Sequence, residues 1–115
     1  MVFLNEGVNR VRDLFEEDVF KCQAGEGQTA PSASDTGLET PDSTTLLTPD
    51  TVVADKAIQV THTINSAIGG GTTYAEQETQ LDSGDTSANR IVHTPLAKGA
   101  SDEFIYITTF FLRSI

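Results

Sequence analysis

Cysteine occurs once in this chain of 115 residues, at Cys22. That excludes an intrachain disulfide framework and any thiolate zinc site, so the core must hold itself. Bases are scarce: 7 Lys and Arg stand against 17 Asp and Glu, a net charge of −10. A phosphate-backbone partner needs clustered basic residues, and nucleic-acid binding is excluded on that ground. Tryptophan is absent, and the remaining aromatics fall mostly in strand-like runs, which leaves no evident platform for a sugar ring. No apolar run approaches the ~20 residues of a membrane helix. Residues Met1 to Glu6 lack the positive start and long apolar segment of a signal peptide, so the protein is expected to be made and used soluble, without membrane insertion.

Catalytic and cofactor motifs are missing too. Gly25 and Gly27 are not followed by the Lys-Ser/Thr of a phosphate loop, nor by the third glycine of a dinucleotide fingerprint. The acids of Asp82–Ser87 offer oxygen ligands to calcium, but their spacing is not that of an EF-hand. His93 and Ser101 have no evident triad partner. Glu76 and Glu78 would share a strand face ~7 Å apart, but acid–base work also needs one carboxyl desolvated in a pocket, and no pocket is predicted. The expectation is a non-enzymatic protein with no cofactor and no metal.

What is present suits one β-domain. At this length roughly two-thirds of the unfolded surface can be buried, enough for a single modest core. The scattered acids, few lysines and abundant threonine resemble the composition of proteins from salt-loving organisms. At about 1 M salt the Debye length falls to ~3 Å, and acidic self-repulsion is mostly screened.

A helix is predicted over 5–18, with Asn5 as N-cap, Phe3 or Leu4 stapling the first turn, and Val8, Val11, Leu14 and Phe15 at helical spacing. Glu6/Arg10 and Arg12/Glu16 are its expected i,i+4 pairs. From Val19 the period becomes two, placing Cys22 inward as a small hydrophobe. Residues 25–34 read as a loop, and 34–39 as a capped turn anchored by Leu38 and ended by Pro41. Thr44 to Val53, interrupted by Pro49, reads as short or edge strands. Residues 58–64 alternate cleanly, with His62 on the apolar face as a core or interface residue. Thr72 to Leu81 is polar on both faces and reads as a water-facing strand anchored by Tyr74 and Leu81. Asn89 to Pro95 and the run from Glu103 to Arg113 complete a meander of four strands.

The last run carries most of the aromatic weight. Phe104, Tyr106, Thr108, Phe110 and Leu112 share one face, and Ile105, Ile107, Thr109 and Phe111 the other. Both faces are apolar, so a central strand is expected, covered by its own fold or by a neighbouring subunit. Phe104, Phe110 and Phe111 are the candidate oligomer-interface residues; alternation leaves open which of Phe110 and Phe111 faces outward.

The order of features resembles a loose family of small β-sandwich structural proteins of tailed viruses, found in tails, collars and fibres. Asn5 and Gly7 match its opening Asn-x-Gly and helix. Gly25, Gly27, Thr29 and Pro31 match a Gly-x-Gly-x-Thr-x-Pro loop, and Asp35, Thr36, Leu38 and Glu39 the Asp-Thr-x-Leu-Glu after it. Glu76 or Glu78 matches an acidic strand position, Arg90 an Arg opening the next strand, and Lys98 a Lys before an apolar terminal strand. The chain departs from the pattern at Gln77–Gln80, polar where an apolar stretch is usual.

The resemblance implies a single antiparallel β-sandwich domain with an N-terminal helix. It further implies a homo-oligomeric virion component of the tail, collar, fibre or capsid-vertex turret, assembled in the host cytoplasm with other virion proteins. With the acidic composition, the host would be a halophilic archaeon. A capsid decoration protein and a carbohydrate-binding β-domain acting at the host surface are the alternatives.

Overall fold

The computed structural model describes residues 4–113. These form one helix, α1 (Asn5–Asp18), followed by seven strands: β1 (Val19–Gly25), β2 (Pro41–Leu47), β3 (Asp50–Ala54), β4 (Ala57–Ile64), β5 (Thr73–Leu81), β6 (Thr86–Ala97) and β7 (Phe104–Phe111). Two antiparallel sheets result, ordered β2-β1-β5-β6 and β3-β4-β7. They face each other in a sandwich-like arrangement that is not closed along the side where β6 and β7 end the two sheets. Of the expected meander, β5 and β6 pair as consecutive strands, but the chain changes sheet from β4 to β5 and again from β6 to β7.

The helix spans the predicted residues with different ends and faces. Leu4 occupies the N-cap without a side-chain hydrogen bond, so Asn5 is the first helical residue rather than the cap, and Phe3 lies outside the described residues. Val8 is buried and Phe15 packs on the core, whereas Val11 and Leu14 remain exposed. Arg12 does not pair with Glu16. Its guanidinium bonds Asp13 and Asn9 and donates to the Ala54 carbonyl, while Glu16 accepts from the Thr51 hydroxyl. Asn9 Oδ1 also accepts the Lys56 amide at 2.8 Å, so the helix is fastened to the β3–β4 turn by polar bonds as much as by packing.

Both Thr-rich strands flanking Pro49 are edges, β2 of one sheet and β3 of the other. Proline in the link between them removes a ladder donor where no ladder is needed. Between the sheets lie two apolar clusters. Cys22, Ile58 and Val60 pack with Phe15 and Phe110; Ala24, Ile64 and Tyr74 pack with Ile68, Phe104 and Tyr106. His62 sits between them. Gln77 Nε2 lies 3.3 Å from its Nδ1, and its Nε2 lies 2.9 Å from the Thr45 carbonyl. The amide must donate to Nδ1 and the ring must donate to the carbonyl, which fixes a neutral imidazole protonated at Nε2.

Two strands depart from their expected environments, in opposite senses. β5, polar on both faces, is central, and every residue from Tyr74 to Thr79 is buried. Buried polar groups persist when bonded. Gln77 meets His62, Thr79 Oγ1 lies 3.6 Å from Cys22 Sγ, and Glu76 binds backbone amides on the other side. β7, apolar on both faces, is an edge strand. Its inward residues Phe104, Tyr106, Thr108 and Phe110 are half-buried, and Ile105, Ile107, Thr109 and Phe111 are exposed.

Candidate functional site

The outer face of the three-stranded sheet follows from its register. On β7 it carries Ile105, Ile107, Thr109 and Phe111, and directly opposite on β4 stand Thr63, Thr61, Gln59 and Ala57. Val52 on β3 pairs with Gln59 and extends the same face. Phe111 is 73 % exposed, Val52 62 %, Ile107 61 % and Ile105 53 %. Asp50, opposite Thr61, is the only charged side chain on these three strands' outward positions. On a chain with net charge −10, that is a face with a single charge at its margin and four exposed apolar side chains among neutral polar ones.

Beside it, along the open side of the sandwich, runs a groove of about 540 Å³ between β6 and β7. Ile91, Leu96, Phe104 and Ile105 supply apolar walls, and His93 and Tyr106 a polar contact across it, with His93 Nε2 2.9 Å from the Tyr106 hydroxyl. Burial pushes the Tyr106 phenol up to about 12, so it stays protonated and able to donate there.

The other sheet's outer face is organised around Glu76. One carboxylate oxygen accepts the amides of Gly27 and Thr40, each at 2.8 Å. The second accepts the Glu39 amide at 2.8 Å and Arg90 Nε at 2.9 Å. Burial acts to raise this carboxyl, but the three amides and the guanidinium outweigh it and hold it below its ordinary value. Arg90 also reaches Asp35 at 3.1 Å. The loop between β1 and β2 is thereby bound down over β5, and Gly27 is required there because a Cβ would stand 2.6 Å from both Glu76 Oε2 and Glu39 Cβ. Gly27, Asp35, Glu39, Glu76 and Arg90, scattered in sequence, form one polar cluster.

The residues singled out from the sequence distribute as follows. Phe111 faces outward. Phe104 and Phe110 belong to the inward face, Phe104 edge-on to Tyr74 at 6.0 Å and Phe110 against Phe15 at 5.0 Å, so the three do not form one patch. Ile105 and Ile107 are the outward companions of Phe111; the alternation of β7 had already grouped them. Glu76 is taken up by the loop amides and Arg90, and Glu78 bonds Gln80 instead of joining it in a carboxylate pair. His93 engages Tyr106 and the Thr94 carbonyl rather than Ser101, which lies in the β6–β7 turn. Asp82 and Ser83 carry positive φ in a tight left-handed turn, and no group of three or more His, Cys, Asp or Glu side chains that could hold a metal ion occurs among the described residues. Comparison of the chain with protein-family models, curated proteins and solved structures finds no match in any of the three.

Proposed function

We propose that this chain is a non-enzymatic structural protein that works as a homo-oligomer, a building block of the tail, collar, fibre or vertex turret of a tailed virus of a salt-loving archaeon. The observation that carries the assembly part is the exposed apolar set Ile105, Ile107, Phe111 and Val52, on a face whose one charge is Asp50, in an otherwise acidic molecule. Two copies with ten excess negative charges each repel over most of their surfaces. An area poor in charge and rich in exposed apolar side chains is where contact between like copies costs least and removes most apolar surface from water, and a symmetric oligomer uses the same area on each subunit. The virion part rests on the resemblance in the order of sequence features. Its support is that Gly27, Asp35, Glu39, Glu76 and Arg90 converge on one loop-fastening cluster, which gives the quoted motif residues a common structural task.

The test is the mass by light scattering and the circular dichroism of wild type and Phe111→Asp in molar KCl, with Phe110→Asp beside them. The expected result is an oligomeric wild type, a folded Phe111→Asp of lower mass, and an unfolded Phe110→Asp. A monomeric wild type at tens of micromolar would sink the assembly reading. Density for this fold in purified particles, sought by cryo-EM, tests the virion reading separately.

A further inference from the structure

Four strands end the two sheets, and three of them carry devices that discourage further pairing. β2 begins at Pro41 and has a register irregularity against β1. β3 is five residues long, preceded by Pro49 and opened by Asp50. β6 contains Arg90 and Pro95 and shifts register twice against β5. β7 has none of these. Its eight residues include no charge, proline or glycine, and its ladder with β4 is regular from end to end.

The backbone groups left free on β7 can be identified. The Leu112 amide donates to the Lys56 carbonyl at 2.8 Å, and these two residues continue the β4–β7 register in which Ala57 faces Phe111. Hydrogen-bonded pairs alternate with non-bonded ones in an antiparallel ladder, so Phe104, Tyr106, Thr108 and Phe110 spend their backbone groups on β4. The N–H and C=O groups of Ile105, Ile107, Thr109 and Phe111 therefore point to the free edge. These are also the four residues whose side chains stand on the outer face.

We infer that β7 pairs antiparallel with β7 of a second copy across a two-fold axis at Thr108, joining the two three-stranded sheets into one continuous sheet. This rests on the homo-oligomer reading above and specifies its contact. Two independent features select the register. Centring the axis on Thr108 sets Ile105 opposite Phe111 of the second copy and Ile107 opposite its Thr109, so every residue with free edge groups becomes bonded. The same register sets Glu103 opposite Arg113 of the second copy, and Arg113 opposite its Glu103, so an opposite-charge pair closes each end of the paired strands. Moving the axis to Ile107 sets Phe111 opposite Glu103, and moving it to Thr109 sets Ile105 opposite Arg113, residues outside β7, and either move loses both charge pairs. On the outer face the Ile105–Phe111 pairs join two exposed apolar side chains, and on the inner face the half-buried Tyr106 comes opposite Phe110 of the second copy.

The experiment combines three measurements in molar KCl. First, wild-type hydrogen exchange by NMR should protect the amides of Ile105, Ile107 and Thr109 as long as those of Tyr106 and Thr108. Second, Thr109→Pro removes an edge donor without touching the β4 ladder, and should halve the mass by light scattering while keeping the wild-type circular dichroism. Third, Thr108→Cys meets its own copy across the axis at a Cα separation of ~4.5 Å, within the disulfide range, and should oxidise to a covalent dimer while buried Cys22 does not compete. Should Thr109→Pro fail to fold, the exchange and cross-linking results decide. An oligomeric wild type whose Ile105, Ile107 and Thr109 amides exchange freely and whose Thr108→Cys form does not cross-link associates by the sheet face; that overturns strand pairing and leaves the homo-oligomer standing. A monomeric wild type overturns both.

Discussion

Arg90 Nε donates to Glu76 Oε1 at 2.9 Å, between adjacent strands of the four-stranded sheet, although the residue directly opposite Arg90 in the register is Glu78. The diagonal choice follows from what else each carboxylate can do. Glu76 lies where the amides of Gly27, Glu39 and Thr40 converge, and a charge with three fixed donors is worth burying. The guanidinium joins this site and extends it to Asp35, so one arginine with two ion pairs holds the β1–β2 loop from two directions.

Removing that charge is expected to be costly. Glu76→Ala strands Arg90 in a buried position and leaves three amides unbonded, and should lower stability by about 3–5 kcal/mol. Urea denaturation reads the loss, and limited proteolysis should show first cleavage within residues 26–40. A loss below about 1 kcal/mol would mean that water replaces the carboxylate without consequence.

Two glycine substitutions should move in opposite directions. Gly27→Ala drives a methyl to within 2.6 Å of Glu76 Oε2, so the loop must lift and the melting temperature fall. Gly7→Ala, in the first half of α1, has no heavy atom within 4 Å of the new methyl. It should stabilise by about 0.5–1 kcal/mol through helix propensity alone. Thermal melts of the two variants against wild type check both signs.

Acid should unfold the protein in two stages. Burial lowers the His62 imidazole below its ordinary value, against the Thr45 carbonyl, which acts to raise it. The unfolded chain binds that proton near about pH 6.5 and the folded chain only at lower pH, so stability is full above that point and falls as pH drops toward the lowered folded value. Glu76, held below its ordinary value of 4.5, adds a second loss as pH falls through 4.5 toward its folded value. Denaturation free energy measured from neutral pH downward should bend first at the imidazole and again at the carboxylate. In His62→Gln the upper bend should disappear.

Salt should raise the melting midpoint. The ion pairs among the described residues are Arg12–Asp13, Arg90–Asp35 and Arg90–Glu76, which leaves most of the 17 acids without a basic partner. Screening therefore removes more repulsion than attraction. Melts recorded from about 0.1 to about 3 M KCl should shift steadily upward; a flat or falling curve would remove the halophile argument.

The sequence alone determined the features that depend on local period and composition. The helix over 5–18, the inward Cys22, the clean alternation of β4 and the edge character of the strands beside Pro49 all follow from side-chain spacing, which the backbone geometry converts directly into faces. It also grouped Ile105, Ile107 and Phe111 on one side of β7, but could not say whether that side or the side of Phe110 looks outward. Tertiary structure decided that, by laying Phe15 of the helix against Phe110. Polarity misled for β5 and β7, because hydropathy records the cost of burying a group without its partners. Gln77 and Glu76 lie at the centre of the molecule because His62, Gly27, Glu39, Thr40 and Arg90, all distant in sequence, supply their hydrogen bonds there. β7 lies at the margin because β4 pairs with it on one side and no strand among the described residues pairs on the other, a matter of strand order that local pattern does not encode.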